Sequence, residues 1–285
     1  MRGLVLAGGG ARGAYQVGAL KYLLYELEIP FNVIAGVSVG ALNAAVIAQF
    51  DVGYEKQAYL ALEEIWLNIK EKDVFKRHFP FGILHMPFKG SVYDTMPLKA
   101  TLKKCISPSR IRGSNRDLVI GATDYESGDF VEFTHQDSSL LEIIRASAAI
   151  PILFPYVKVG GNFFMDGGVR ELAPVLSAVK RGCTNILTIV PSPKHVFYSK
   201  RKNTQPNLKE AIARAVDMSL SELEEKDLLD CPVIRPNHSL TTNALDFDPT
   251  LIREMMSKGY VDARAQYDRT STKRLSPRIQ DRIEG

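Results

Sequence analysis

The 285-residue chain has only three cysteines, Cys105, Cys183 and Cys231, far apart and in no Cys-x-x-Cys pair. That spacing excludes a disulfide framework and a zinc-binding knuckle, and it suits buried thiols in a reducing compartment. Five histidines are scattered along the chain, and no cluster of His, Cys, Asp and Glu has ligand spacing. Neither a metal nor an organic cofactor is therefore expected. No apolar run approaches the ~18 residues of a membrane span. No basic segment followed by a cleavable apolar stretch precedes the first strand, so a secretory leader is not expected. The net charge is only +4, and no Lys/Arg block interleaves with aromatics, which argues against a nucleic-acid partner. Internal repeats and low-complexity linkers are also absent. These absences leave an ordinary globular domain, with a cytoplasmic location as the default expectation.

What is present begins with "LVLAGGGARGAYQVGAL", residues 4–20. A short apolar strand runs into Gly8, Gly9, Gly10, Ala11, Arg12 and Gly13, and then into an amphipathic helix expected over 12–28. A second strand–helix unit follows at once, with a strand over 31–38 and a helix over 39–50. Two such units in fifty residues imply a mostly parallel α/β sheet. Helices are further expected over 54–70, 97–106, 139–149, 171–181, 208–228 and 249–266. Residues 116–134 read as two strands joined at Glu126-Ser127-Gly128-Asp129, residues 163–169 as a strand running into a glycine turn, and further strands are expected over 184–190 and 232–235. One domain over 1–268, followed by a loose basic tail over 269–285, is the simplest organisation.

Gly8-x-Gly10-x-x-Gly13 matches the dinucleotide fingerprint in its letters. Its context does not fit, because no acidic residue ends the second strand to hold a ribose. A phosphate-binding P-loop is excluded too, since Gly13 is followed by Ala14 and Tyr15 rather than by lysine. What remains is a glycine loop with backbone N–H groups at a helix start, able to receive an oxyanion. Arg12 either braces this loop or is a solvated helix-start residue.

The second strand ends in Gly36-Val37-Ser38-Val39-Gly40, a G-x-S-x-G turn. Such a turn places a strained serine at the apex between strand and helix. Its flanking glycines Gly36 and Gly40 admit the neighbouring backbone. A third turn, Met165-Asp166-Gly167-Gly168, puts a carboxylate at a strand end beside two glycines.

These three turns, in this order, resemble the patatin-like phospholipases. The segments 90–102, 122–133 and 145–168, the last carrying an Ala-Ser-Ala-Ala-x-Pro box, are similar to the family's intervening segments. The likeness covers residues 3 to 190, with a weaker echo at 254–263. It implies a three-layer patatin/acyltransferase-like fold whose mostly parallel sheet is flanked by helices. It further implies a lipid acyl hydrolase with Ser38 as nucleophile, Asp166 as base and the loop 8–13 as oxyanion hole. A phospholipid or other long-chain acyl ester would be the substrate, with no metal required.

Two readings compete with the dyad. One is a Ser–Asp–His triad, for which His195 and His238 are the histidines that follow Asp166 in the chain. The other is an acyltransferase or thioesterase on a related fold, which would also need a histidine partner. Separately, the Phe-, Pro- and His-rich excursion 73–90 is either a flap touching a lipid surface or a second layer of core. Its apolar residues Val74, Phe75, Phe79, Phe81, Ile83, Leu84, Met86 and Phe88 stand among Lys76, Arg77 and Lys89. A flap of that kind would make the protein peripheral to a membrane.

Overall fold

The computed structural model describes residues 1–77, 90–194, 227–228, 231–241 and 243–270, with 269 and 270 described by backbone only. Among them stands an eight-stranded mixed sheet. The first strand, β1 (Arg2–Leu6), is apolar and fully covered beyond its first residue. It leads through the glycine loop into α1 (Gly13–Leu20). The expected helix over 12–28 does not stay regular. From Lys21 to Glu26 it widens into a π-helical turn. It then closes where the Leu27 N–H donates to Tyr22 and the Ile29 N–H to Leu23.

The next unit is β2 (Val33–Val37) and α2 (Val39–Ile47). Then come α3 (Glu55–Asn68), the short α4 (Glu71–Val74) and a small two-stranded ribbon of β3 (Lys76–Arg77) and β4 (Tyr93–Asp94). After α5 (Met96–Cys105) and α6 (Pro108–Gly113) the chain enters the sheet again with β5 (Asp117–Asp124) and β6 (Phe130–Thr134). Helix α7 (Leu140–Ser147) is followed by the hairpin β7 (Val157–Val159) and β8 (Asn162–Asp166). The last described elements are α8 (Val175–Lys180), β9 (Asn185–Ile189), β10 (Val233–Ile234) and α9 (Pro249–Thr270).

Strands β10, β9, β1, β2 and β5 run parallel in that spatial order. Period-two alternation sends their side chains to two apolar layers. Leu4, Leu6, Ile34, Leu118 and Ile120 pack with α1, α2, α3 and α9. Val5, Ala7, Val33, Ala35 and Val119 meet Val175 and Ala178 of α8 on the other face. This is the three-layer, mostly parallel architecture expected from the sequence.

The antiparallel strands place the site. Strand β6 covers one edge of β5 from Val119 to Thr123. The opposite edge is shared: β2 pairs with Asp117 to Gly121, and β8 takes over from Ala122 to Asp124. Because β2 runs parallel to β5 and β8 antiparallel, their C-terminal ends converge. Val37 lies opposite Gly121 and Asp166 opposite Ala122. Residues more than a hundred positions apart in the chain are thus brought end to end against two consecutive residues of one strand.

Helix α9 locks α1 from outside. A Cβ at Gly18 would collide with the Met256 backbone, and one at Gly259 with the Tyr15 backbone. The helices therefore cross at glycines in near backbone contact. Tyr15 also donates its hydroxyl to Asp262 at 3.1 Å, and Lys258 holds the same carboxylate at 2.8 Å.

Some expectations require correction. The helix expected over 171–181 is only Val175–Lys180, because Gly167–Val169 forms a 3-10 turn and Pro174 caps the helix from outside. Helix α9 runs on to Thr270, past the expected end at 266. Cys183 and Cys231 are buried, whereas Cys105 is only half-buried, so not all three thiols are covered as expected. The helix expected over 208–228 lies outside the described residues except for its last two positions, and so does the tail from 271.

Candidate active site

Ser38 stands at the junction of β2 and α2 with φ 57° and ψ −128°. This is left-handed territory that an L-residue occupies only when its surroundings enforce it. The enforcement is visible. A Cβ at Gly36 would strike the Gly40 backbone, and one at Gly40 would strike the carbonyl of Leu6. The turn is tight enough that only glycine serves on either side, which accounts for the G-x-S-x-G spacing. Ser38 is 5% exposed, and its backbone N–H donates to the Ser147 hydroxyl at 2.8 Å.

Asp166, the last residue of β8, is 6% exposed. Its Oδ1 accepts the Gly168 N–H at 2.8 Å. The Ser38 hydroxyl acts on the same carboxylate and lowers its pKa. Burial pushes its pKa up from the ordinary aspartate value to about 7, against the lowering effect of Ser38 and the Gly168 N–H. Its backbone is held twice: its N–H donates to the Ala149 carbonyl at 2.9 Å, and its carbonyl accepts the Thr123 hydroxyl at 3.0 Å. Gly167 passes so close to the Gly121 carbonyl that no Cβ would fit.

The glycine loop lies alongside. A Cβ built on Gly8 would come within 3.3 Å of the Ser38 Cβ. Not all of its N–H groups are available, which narrows the expectation that the whole loop 8–13 would donate. The Gly8 N–H is used by the Leu172 carbonyl at 3.0 Å, and the Ala11 N–H by the Ala244 carbonyl at 2.7 Å. Arg12, half-buried, turns its N–H back to Gly9 at 3.2 Å, and the Gly13 N–H meets the Gly10 and Ala11 carbonyls. Among the described residues the N–H groups of Gly9 and Gly10 have no acceptor. These two N–H groups are the ones in the loop still able to donate. Gly10 itself has φ +60° and is pressed against the Ala244 carbonyl, so this position requires glycine twice over.

Both ends of the loop are tied by one buried polar chain. Gln16 donates to the Ala7 carbonyl at 2.7 Å, Asn43 donates to Gln16 at 2.9 Å and to the Gly13 carbonyl at 3.3 Å, and Trp66 donates to Asn43 at 2.8 Å. Buried polar groups of this kind rigidify when fully satisfied. A second brace comes from Asp227, whose Oδ2 accepts the Leu172 N–H at 2.7 Å while the Leu172 carbonyl holds Gly8. Beside it, burial raises the Glu171 carboxyl to about 8, helped by the neighbouring charges of Asp227 and Glu132.

Ser147, Ala149, Thr123, Asp227 and Ala244 were not singled out by sequence reasoning. Only the first two had a signal, the Ala-Ser-Ala-Ala-x-Pro box, and that box carried no role. Of the competing triad residues, His238 is exposed, and His195 lies outside the described residues. The excursion 73–90 is described only at its two ends. Val74 and Phe75 are buried, and Phe75 packs against Tyr93, Phe154 and Phe247. These two side chains therefore belong to the core rather than to a flap. Phe79, Phe81, Ile83, Leu84, Met86, Phe88 and Lys89 lie outside the described residues. Among the described residues no group of three or more His, Cys, Asp or Glu could hold a metal ion, and no helix is long and apolar enough to cross a membrane.

Fold and turns together define an α/β protein with a serine elbow facing a glycine loop and a buried aspartate. The family model described as patatin-like phospholipase matches residues 4–179, and the chain belongs to this family. Among its relatives, the uncharacterized protein YjjU of Escherichia coli is 25% identical over 207 residues, covering 69% of this chain and 53% of YjjU. Lysophospholipase NTE1 of Kluyveromyces lactis is 27% identical over 203 residues, which are 66% of this chain but 12% of that protein. The cGAMP-activated phospholipase of Pseudomonas aeruginosa is 27% identical over 192 residues, 61% of this chain and 54% of the relative. The chain thus spans about half the length of YjjU and a small part of NTE1. Among solved structures, VipD from Legionella pneumophila shares the fold, with a TM-score of 0.53 at 15% identity over 94% of this chain and 67% of VipD.

Proposed function

We propose that this chain is a lipid acyl hydrolase of the phospholipase A or lysophospholipase type, with Ser38 as nucleophile and Asp166 as general base. The observation that carries the reading is a Ser38 hydroxyl that acts on a buried carboxylate whose pKa is raised to about 7, both at the ends of strands brought together on β5. A free aspartate, near ~3.9, is a poor base for a serine proton. A carboxylate raised to about 7 is well matched to proton transfer at neutral pH, where general bases are most effective.

The steps follow from the geometry. Asp166 takes the hydroxyl proton as Ser38 Oγ attacks the ester carbonyl. Negative charge develops on the carbonyl oxygen, which the N–H groups of Gly9 and Gly10 and the N-terminus of α2 receive. Collapse expels the alcohol, protonated by Asp166, and leaves an acyl-serine. Water, deprotonated by Asp166, attacks this ester. The fatty acid leaves as Ser38 recovers its proton.

The substrate class is a phospholipid or other long-chain acyl ester, as the names of the relatives suggest. Contact with a lipid surface through 73–90 would rest on the exposed Lys76 and Arg77 and on the residues between them and Gly90. Sedimentation with anionic vesicles of a Lys76→Glu/Arg77→Glu variant tests that contact: the wild type pellets and the variant stays in solution, while unchanged sedimentation contradicts it. For the chemistry, a fluorophosphonate probe should label the wild type and not Ser38→Ala. Asp166→Asn should lose hydrolysis of a soluble chromogenic acyl ester. A fully active Asp166→Asn would remove the dyad.

A further inference from the structure

One short segment touches both members of the dyad. At the end of α7, Ser147 accepts the Ser38 N–H at 2.8 Å, and two residues later the Ala149 carbonyl accepts the Asp166 N–H at 2.9 Å. The two grips differ in kind. Ala149 acts through its backbone and would do so with any side chain. Ser147 acts through its hydroxyl, so this contact depends on residue type.

The hydroxyl has no freedom. Ser147 is 0% exposed, and it gives its one proton to the Gly121 carbonyl at 2.6 Å. Its remaining lone pairs can only accept, and the Ser38 N–H is what they accept. Gly121 is itself the residue opposite Val37 in the β2–β5 ladder, and its carbonyl packs under Gly167 of the base turn. The nucleophile elbow, the base turn and the strand between them are therefore joined through one hydroxyl. Ser38 has backbone angles it would not hold alone, so a partner that fixes its N–H also fixes where its Oγ points.

We propose that Ser147 is a positioning residue that sets the spacing between Ser38 and Asp166. Segment 147–149 works as a two-point clamp on nucleophile and base. Ser147 touches no substrate. It acts by keeping the strained elbow in register with the carboxylate. Loss of the hydroxyl strands the Ser38 N–H and the Gly121 carbonyl without a partner. The elbow then relaxes away from Asp166. Misplacement of a reacting atom by about 1 Å costs up to ~100-fold in rate. This inference rests on the dyad reading above.

The test uses the full chain, with Ser147→Ala and the near-isosteric Ser147→Cys, whose sulfur is a weaker acceptor. The readouts are kcat and KM on a soluble chromogenic ester, the rate of fluorophosphonate labelling, and the melting temperature. For Ser147→Ala, kcat and labelling rate should fall about 10- to 100-fold, while KM stays within about twofold. Ser147→Cys should recover part of the loss. If Ser147→Ala does not fold, the Cys variant alone decides, through its kcat at unchanged KM. Ser147 variants that melt lower but label and turn over at the wild-type rate would overturn the inference. A wild type that takes no fluorophosphonate label would instead overturn the dyad itself, so the two failures are distinguishable.

Discussion

The Ser38 hydroxyl acts on the Asp166 carboxylate in a site so dry that the carboxyl pKa rises to about 7. Only the ionised carboxylate can accept the serine proton. kcat/KM for a soluble ester should therefore rise about tenfold per pH unit below 7 and flatten above it. A profile measured from pH 5 to 9 checks this. A flat profile between pH 5 and 7 would mean that Asp166 is not the group that must ionise.

The same burial has a stability consequence with a definite sign. Asp166 and Glu171 both have folded-state values raised above those of an unfolded chain. Their contribution is fully present below about pH 4 and is lost as pH rises through about 7 for Asp166 and about 8 for Glu171. For Asp166 the upward displacement is worth on the order of 2–4 kcal/mol. Asp166→Asn, which cannot ionise, should match the wild type in melting temperature only at about pH 4 or below, pull ahead as pH rises, and exceed it by roughly 4 °C or more at pH 8.5. The variant is thus inactive and more stable at high pH, a pairing characteristic of a carboxylate kept for chemistry. An equal melting temperature at pH 8.5 would show that the site is wetter than its 6% exposure indicates.

A triad would need a histidine at Asp166. His238 is exposed on the segment after β10, whereas the buried carboxylate accepts the Gly168 N–H. His238→Ala should keep most of the wild-type kcat on the soluble ester. Loss of more than about 90% of the activity would restore the triad, since removing a general base typically costs 10²-fold or more.

Much of this site could be read from the chain because local rules dictate it. Glycines at fixed offsets mark Ser38, and an Asp-Gly-Gly turn at a strand end marks Asp166. The parallel strands stand out as apolar runs before helices. What could not be read is what arises between distant residues. β7 (Val157–Val159) is three residues long, too short for a period to show. The convergence of β2 and β8 on Gly121 and Ala122 is a property of register, which no local pattern encodes. That Gly8 and Ala11 spend their N–H groups on Leu172 and Ala244 depends on contacts more than 150 positions away. The raised pKa of Asp166 is likewise a consequence of burial, known only once the layers are packed.

The narrowed donor set makes a separate prediction. If Gly9 and Gly10 supply the oxyanion contacts, a side chain at Gly10 should harm chemistry more than binding. Gly10→Ala places a methyl against the Ala244 carbonyl at a φ of +60°, so the loop must shift and its N–H groups turn with it. Loss of one oxyanion donor costs about 10²–10³ in kcat. Measured on the soluble ester, kcat should fall by that order with KM little changed. A fall in KM-dependent binding alone would assign the loop to substrate grip rather than to charge stabilisation.

The helix crossing under the loop gives the last prediction, one in which packing and chemistry are coupled. Helix α1 begins at Gly13, immediately after the loop, and α9 clamps it through Gly18 and Gly259. A methyl at Gly259 meets the Tyr15 backbone, which cannot step aside as a side-chain end would. Overpacking of a well-packed contact costs about 1–3 kcal/mol, and a backbone collision belongs at the upper end. Gly259→Ala should therefore lower the melting temperature by several degrees, and Gly18→Ala should do the same from the other side of the crossing. Because the two substitutions force the same helices apart, their effects should be less than additive in the double variant. Any tilt of α1 is passed to Gly13 and, through Asn43 and Gln16, to both ends of the glycine loop. Fluorophosphonate labelling of the folded fraction should consequently slow in Gly259→Ala. Full additivity with an unchanged labelling rate would mean that the crossing holds the fold without reaching the site.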